Sequence, residues 1–198
     1  MRFTTSRTAR SLQSPMAALA TAGLIAAALA VPAGAQAAST DTVFAGSKGA
    51  YCESTGGVAA KMHAWSGTNN DASLWVQYGG NELACTYTAE DTSQITIFES
   101  TLESRKPTMA ALAYYAKVAS NGGPGNPSLS YCNQLGVAWQ VSNRFDGGGW
   151  ATARGERVYG MCVFADGSAI DAWGLLYHSA DIVRGIDLAT VLKFKNPY

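Results

Sequence analysis

Histidine is nearly missing from this chain: His63 and His178 are the only two in 198 residues. Neither stands at metal-ligand spacing from the other, so a histidine-based metal site has no sequence support. Cysteine is sparse too, with four residues and no Cys-x2-4-Cys knuckle, which argues against a structural zinc site. Gly122-Gly123 and Gly147-Gly148-Gly149 lack both a following lysine and a strand–loop–helix setting, which argues against a phosphate cradle. No excess of positive charge points to nucleic acid or an anionic membrane. After the N-terminal region no stretch is long and apolar enough to span a bilayer.

What the N-terminus does have is the pattern of an export signal. Arg2, Arg7 and Arg10 precede a small-residue apolar run, Met16 to Val31, and Ala33-Gly34-Ala35 and Ala35-Gln36-Ala37 offer small-x-small cleavage sites. Residues 1–37 are therefore expected to be a removable signal peptide and 38–50 a flexible lead-in. Removal takes three arginines and no acid, leaving 11 basic and 14 acidic residues, a formal charge of −3. The mature protein is expected to be secreted, extracellular or periplasmic according to the envelope.

In that compartment four cysteines are most simply two disulfides, with three possible connectivities. A repetition in the sequence selects among them. Tyr51-Cys52 and Cys85-Thr86-Tyr87 are echoed by Tyr131-Cys132 and Cys162-Val163-Phe164, and Thr108 by Asp187, at offsets of 80, 77 and 79 residues. If each copy is a folding unit, the bonds are Cys52–Cys85 and Cys132–Cys162.

The predicted units are 51–120 and 127–198, joined by a Gly-rich linker at 121–126. Each combines short antiparallel strands with a closing helix. In the first, Glu53–Gly57 reads as a helical turn, Ser73–Tyr78, Leu83–Thr88 and Gln94–Phe98 as strands, and a helix runs from Pro107 and its N-cap Thr108 to about Ser120. In the second, Tyr131–Gln134 reads as a cysteine-bearing turn, and Val137–Val141, Trp150–Ala153, Val158–Phe164 and Ala169–Trp173 as strands. Asp166-Gly167-Ser168 forms a tight turn, and Asp187 caps the last helix. The fold class is α+β, internally duplicated and disulfide-stapled, with the two units joined in one body.

The run Asn126-Pro127-Ser128-Leu129-Ser130-Tyr131-Cys132, then Gly160-Met161-Cys162-Val163-Phe164-Ala165-Asp166-Gly167-Ser168, then Trp173, resembles a small family of bacterial exported domains. That family has no known function, although its members often carry a haemolysin label. The resemblance spans residues 126–173; the first copy echoes it through Tyr51-Cys52, Gly56-Gly57 and the Cys85 strand. Ile170 and Ala172 stand where the family commonly has a cysteine and an acid, so an extra disulfide is absent. The resemblance transfers no catalytic residue, and neither a long amphipathic hairpin nor a cationic amphipathic helix supports pore formation.

Candidate sites are few. His178 with Asp171 or Asp181 and Ser179 would make a hydrolase group; the blander reading is a histidine at the edge of an apolar turn. His63 is expected on a surface hairpin. Glu82, Glu156 and Asp166 flank hairpins as solubilising turn residues or, if brought together, as a glycosidase pair. Trp65, Trp75, Trp139 and Trp150 are either core fillers beside the disulfides or an aromatic binding surface, and Trp173 reads as core. The sequence therefore predicts a secreted, non-catalytic binding or structural protein without a cofactor, whose partner is a protein or glycan at or outside the envelope. The alternatives are a small hydrolase using His178 and an inhibitor of another exported protein.

Overall fold

In the computed structural model, residues 48–137 and 145–197 are described. The expected signal peptide, most of the lead-in, residues 138–141 of the strand expected over 137–141, and with them Trp139, lie outside them.

Both disulfides join as the repeat requires, Cys52 to Cys85 and Cys132 to Cys162, with Cα separations of 5.6 and 5.3 Å. Each ties a short helix to a strand. In the first half, helix α1 (Ala50–Ser54) carries Cys52, and strands β1 (Val58–Ser66), β2 (Val76–Gln77), β3 (Glu82–Thr88, with Cys85) and β4 (Gln94–Phe98) follow. Helices α2 (Glu99–Leu102) and α3 (Met109–Ala116) close it. The second half runs through α4 (Pro127–Gln134, with Cys132), β5 (Gly148–Ala151), β6 (Met161–Val163, with Cys162), β7 (Ala169–Asp171), α5 (Ala172–His178) and α6 (Leu188–Val191).

One antiparallel sheet unites the halves. β1 pairs with β3, β3 with β4, β4 with β7 and β7 with β6. β5 lies along β1, and Trp150 of β5 exchanges both backbone hydrogen bonds with Tyr159, at 2.8 Å each. Tyr159 stands two residues before β6, so the ladder returns on itself. Glycine permits this closure: a Cβ at Gly149 would stand 2.4 Å from Val158 Cγ1 and 2.7 Å from the Tyr159 carbonyl oxygen.

β4 is buried on both faces, as expected of a central strand. Ile95 and Ile97 pack with both disulfides, Tyr114, Leu175 and Leu188 under the helices. Phe98, on the other face, joins Met62, Trp150 and Met161. The two halves thus share their cores rather than each burying its own.

Local signals decide most helix starts. Thr108 Oγ1 accepts from Ala111 N–H and Asp187 Oδ1 from Ala189 N–H, as read from the sequence. α3 is shorter than expected, stopping at Lys117 in a left-handed conformation (φ 44°). The expected cysteine-bearing turn at 131–134 is a helix begun by Asn126, whose Oδ1 accepts from Ser128 N–H, with Pro127 in the first turn. The expected strand through Trp173 ends at Asp171, because the Asp171 carboxylate accepts from Trp173 N–H and starts α5.

Candidate functional site

Two cavities of nearly equal size, about 360 and 370 Å³, occupy corresponding places in the two halves. Each is walled by the residue four before the helical cysteine (Lys48; Ser128) and the residue two before the strand cysteine (Leu83; Gly160). The next helix supplies the third wall: Ser100 in one, Trp173 in the other, each three residues after the central-strand isoleucine, Ile97 or Ile170. The frame is common; the lining is not.

The first cavity is charged. Glu99 lies on its wall, buried, with Oε1 accepting from Gly49 N–H. Burial pushes its carboxyl up, the Gly49 hydrogen bond opposes that shift, and neighbouring Glu103 reinforces it. Glu103 also lines the cavity and pairs with Lys193, while Lys48 and Lys61 stand on exposed positions around it.

No described residue lining the second cavity is charged. One wall comes from the first half, where Thr68 and Asn69 lie directly against Gly147; a Cβ there would stand 2.6 Å from Asn69 Oδ1. Asn69 Nδ2 donates to the Phe145 carbonyl at 2.9 Å, fixing the loop. Opposite, Asn126 Oδ1 accepts from both Ser128 N–H (3.0 Å) and Ser128 Oγ (2.8 Å). Asn126 Nδ2 meets no acceptor among the described residues. Trp173 forms the remaining side at 37% exposure, with Tyr177 tilted against it at 5.8 Å.

Of the tryptophans read as a possible display surface, Trp65, Trp75 and Trp150 are interior residues, and Trp139 lies outside the described residues. Trp65 and Trp75 meet edge-on at 6.0 Å and pack with Ala151. Trp150 stands edge-on to Phe98 at 4.9 Å. Large indoles are needed there because small residues, Ala64, Ala84, Ala151 and Ala169, occupy the adjoining strand positions. Trp173, expected in the core, is the exposed one, because the helix begun by Asp171 turns its ring outward from the strand line. Exposure followed from the cap, which the alternating pattern concealed.

His178 does not assemble a catalytic group. It is buried and stacked on Tyr114, with ring centroids 3.6 Å apart and planes at 8°, and its Nδ1 finds no hydrogen-bond partner. Burial and the nearby Lys117 hold its pKa below the usual imidazole value. Asp181 is paired with Lys117 instead, at 2.6 Å, and Ser179 Oγ donates to the Leu176 carbonyl. Asp171 is committed to its cap, and burial lifts its pKa to about 6 against the opposing backbone hydrogen bonds. No catalytic triad is formed among the described residues. The carboxylates Glu82, Glu156 and Asp166 are also dispersed: Glu82 lines the charged cavity and Glu156 a third one. Asp166 caps α3, as Oδ2 accepts from Met109 N–H.

His63 lies in β1, which pairs antiparallel with β2, its Nδ1 2.9 Å from Gln77 Nε2. Among the described residues, no group of three or more His, Cys, Asp or Glu could hold a metal ion, and no helix is long and apolar enough to cross a membrane.

Residues 123–179 match a family model described as Domain of unknown function (DUF333). No curated protein and no solved structure matches the chain. The matched stretch holds every lining residue of the uncharged cavity except Thr68 and Asn69.

Proposed function

We propose that this chain is an exported, disulfide-stapled, non-catalytic binding protein made of two copies of one unit, with its ligand site in the uncharged groove of the second copy. The observation that carries the reading is the position of Trp173. It is the one tryptophan among the described residues that is not buried, and it stands on a concave, polar-lined cavity. Recognition sites combine an apolar platform with a few convergent polar groups in this way.

Duplication is supported by the order of elements, by one disulfide per half and by the shared frame of the two cavities. Export is supported by the charged, apolar and small-residue pattern of residues 1–37, and a bacterial envelope or its surroundings is the setting that pattern fits. His178, stacked on Tyr114 with no hydrogen-bond partner at Nδ1, favours binding over hydrolysis.

Affinity capture from the culture fluid and envelope of the source organism tests the reading, with mature wild-type protein and the Trp173→Ala variant as paired baits. A ligand retained by wild type and lost with the variant is the expected result. No specific retention, or equal retention by both baits, overturns it.

A further inference from the structure

The chemistry of the groove narrows its ligand. Resting on the site just proposed, we infer that the groove binds a neutral carbohydrate, with one face of a sugar ring against Trp173. The described lining offers no cation for a phosphate, sulfate or carboxylate and no anion for an amine. It is too polar for a lipid chain, since Thr68, Asn69, Asn126 and Ser128 all reach it. A peptide strand is disfavoured along β5, which is engaged with β1 and with Tyr159, and β6, paired with β7 alone, offers only three residues of edge.

What remains is a ligand with a ring of hydroxyls and a patch of C–H groups. An indole face is electron-rich and receives such C–H groups, while its N–H serves as a donor at the edge. The Trp173 indole Nε1–H, unlike its backbone N–H, meets no acceptor among the described residues. Asn126 Nδ2 and Asn69 Oδ1 add a donor and an acceptor, the Thr68 hydroxyl can serve as either, and Ser128 Oγ, whose proton is given to Asn126, can only accept. Asn126 is held in place by its two bonds with Ser128, at 2.8 and 3.0 Å, so its amide is oriented before a ligand arrives. A volume of about 370 Å³ falls within the usual small-molecule range of about 300–1,000 Å³.

The charged cavity of the first half is an internal control. At the position of Trp173 it has Ser100, and at that of Ala172 it has Glu99. It shares the frame but lacks the platform, so it should not take the same ligand.

The test is calorimetric titration of the mature protein with soluble uncharged oligosaccharides (chitohexaose, cellohexaose, xylohexaose, maltohexaose) and with heparin and polygalacturonate as charged counterparts. At least one uncharged oligosaccharide is expected to bind. Trp173→Ala should weaken it by about thirtyfold, as loss of a central aromatic anchor does, with Trp173→Phe between the two and Ser100→Ala unchanged. Circular dichroism of each variant confirms folding. Binding only to the charged polymers, or to none of the set, overturns the carbohydrate assignment. If Trp173-dependent capture from the envelope persists in that case, the groove stands and only its ligand class is wrong. Oligosaccharide binding insensitive to Trp173→Ala overturns the site itself.

Discussion

Ile97 and Ile170 face each other in the one register pair that joins β4 to β7. Each is also the register partner of its own half's strand cysteine, Cys85 opposite Ile97 and Cys162 opposite Ile170. A row Cys–Ile–Ile–Cys therefore crosses four strands, fully buried, under the helices. Further contacts are exchanged reciprocally. Tyr51 Oη, from the first half, donates to the Val191 carbonyl at the end of α6; Tyr131 Oη, from the second, donates to Val118 just beyond α3, each at 2.6 Å. Ser168 Oγ accepts from Ala110 N–H of α3, and Ser93 Oγ from Gly185 N–H ahead of α6. Each half finishes the other's closing segment.

Such interlocking makes separate unfolding of the halves costly. Ile170→Ala should destabilise the whole chain by about 2–5 kcal/mol, the range for removing a large buried aliphatic side chain. Urea unfolding followed by circular dichroism and by hydrogen exchange in both halves should give one shared transition. Two separable transitions would contradict the shared core.

The two hairpin turns invite a substitution. Asp91-Thr92-Ser93 and Asp166-Gly167-Ser168 have the same form, and their middle residues have φ of 67° and 79°. Glycine accepts that conformation, whereas a β-branched residue is strained in it. Thr92→Gly is expected to raise stability by about 1 kcal/mol, a gain set by the left-handed penalty. A loss in the measured urea midpoint would refute that account. Asp166→Ala should act oppositely, costing about 1–2 kcal/mol through the lost α3 cap.

The Asp166 role shows where sequence reading stops. Thr108 and Asp187 were legible as caps because the groups they satisfy lie within three residues. β4 was legible from its alternation, and the staples from the repeated cysteine spacing. Asp166 serves Met109, 57 positions away, and no local window contains that relation. α5 was missed for a different reason: Ala169–Trp173 alternates like a strand until the Asp171 side chain captures Trp173 N–H. The misplacement of Trp173 followed from that one hydrogen bond. The groove itself is built from Thr68–Asn69 and segments 57 to 105 residues later, so only the aromatic platform type could be read, not its position.

Removal of either staple should be costly but not equally visible in function. The chain-entropy model gives about 3.5–4 kcal/mol for each loop of this length. Replacing Cys132 and Cys162 together by alanine removes the tie between α4 and β6, which also frame the groove through Ser128 and Gly160. That variant should lose ligand retention at a temperature where the Cys52/Cys85 double variant, which loosens the charged cavity, still binds. Equal loss in both would mean that stability alone, rather than the groove's frame, governs retention.

The pH response turns on two buried groups at opposite ends of α5. His178 has its pKa lowered by burial and by Lys117, so below its unfolded value of about 6.5 the unfolded chain binds more protons. Its contribution to stability therefore falls as pH drops through 6.5 toward the folded pKa. Asp171 is the reverse case: burial lifts it from 3.8 to about 6, so between those values the folded chain binds more protons. Its contribution rises as pH falls from about 6 to about 4, opposing the histidine. His178→Phe keeps a ring against Tyr114 and removes one arm, so its urea stability should hold or increase between pH 7 and 5. Asp171→Asn keeps a capable N-cap and removes the other, so its stability should fall more steeply than wild type over pH 6 to 4. If both variants follow the wild-type profile in parallel, the acid response originates outside α5, in the exposed carboxylates whose pKa values are lowered by their turns, such as Asp71 and Asp91.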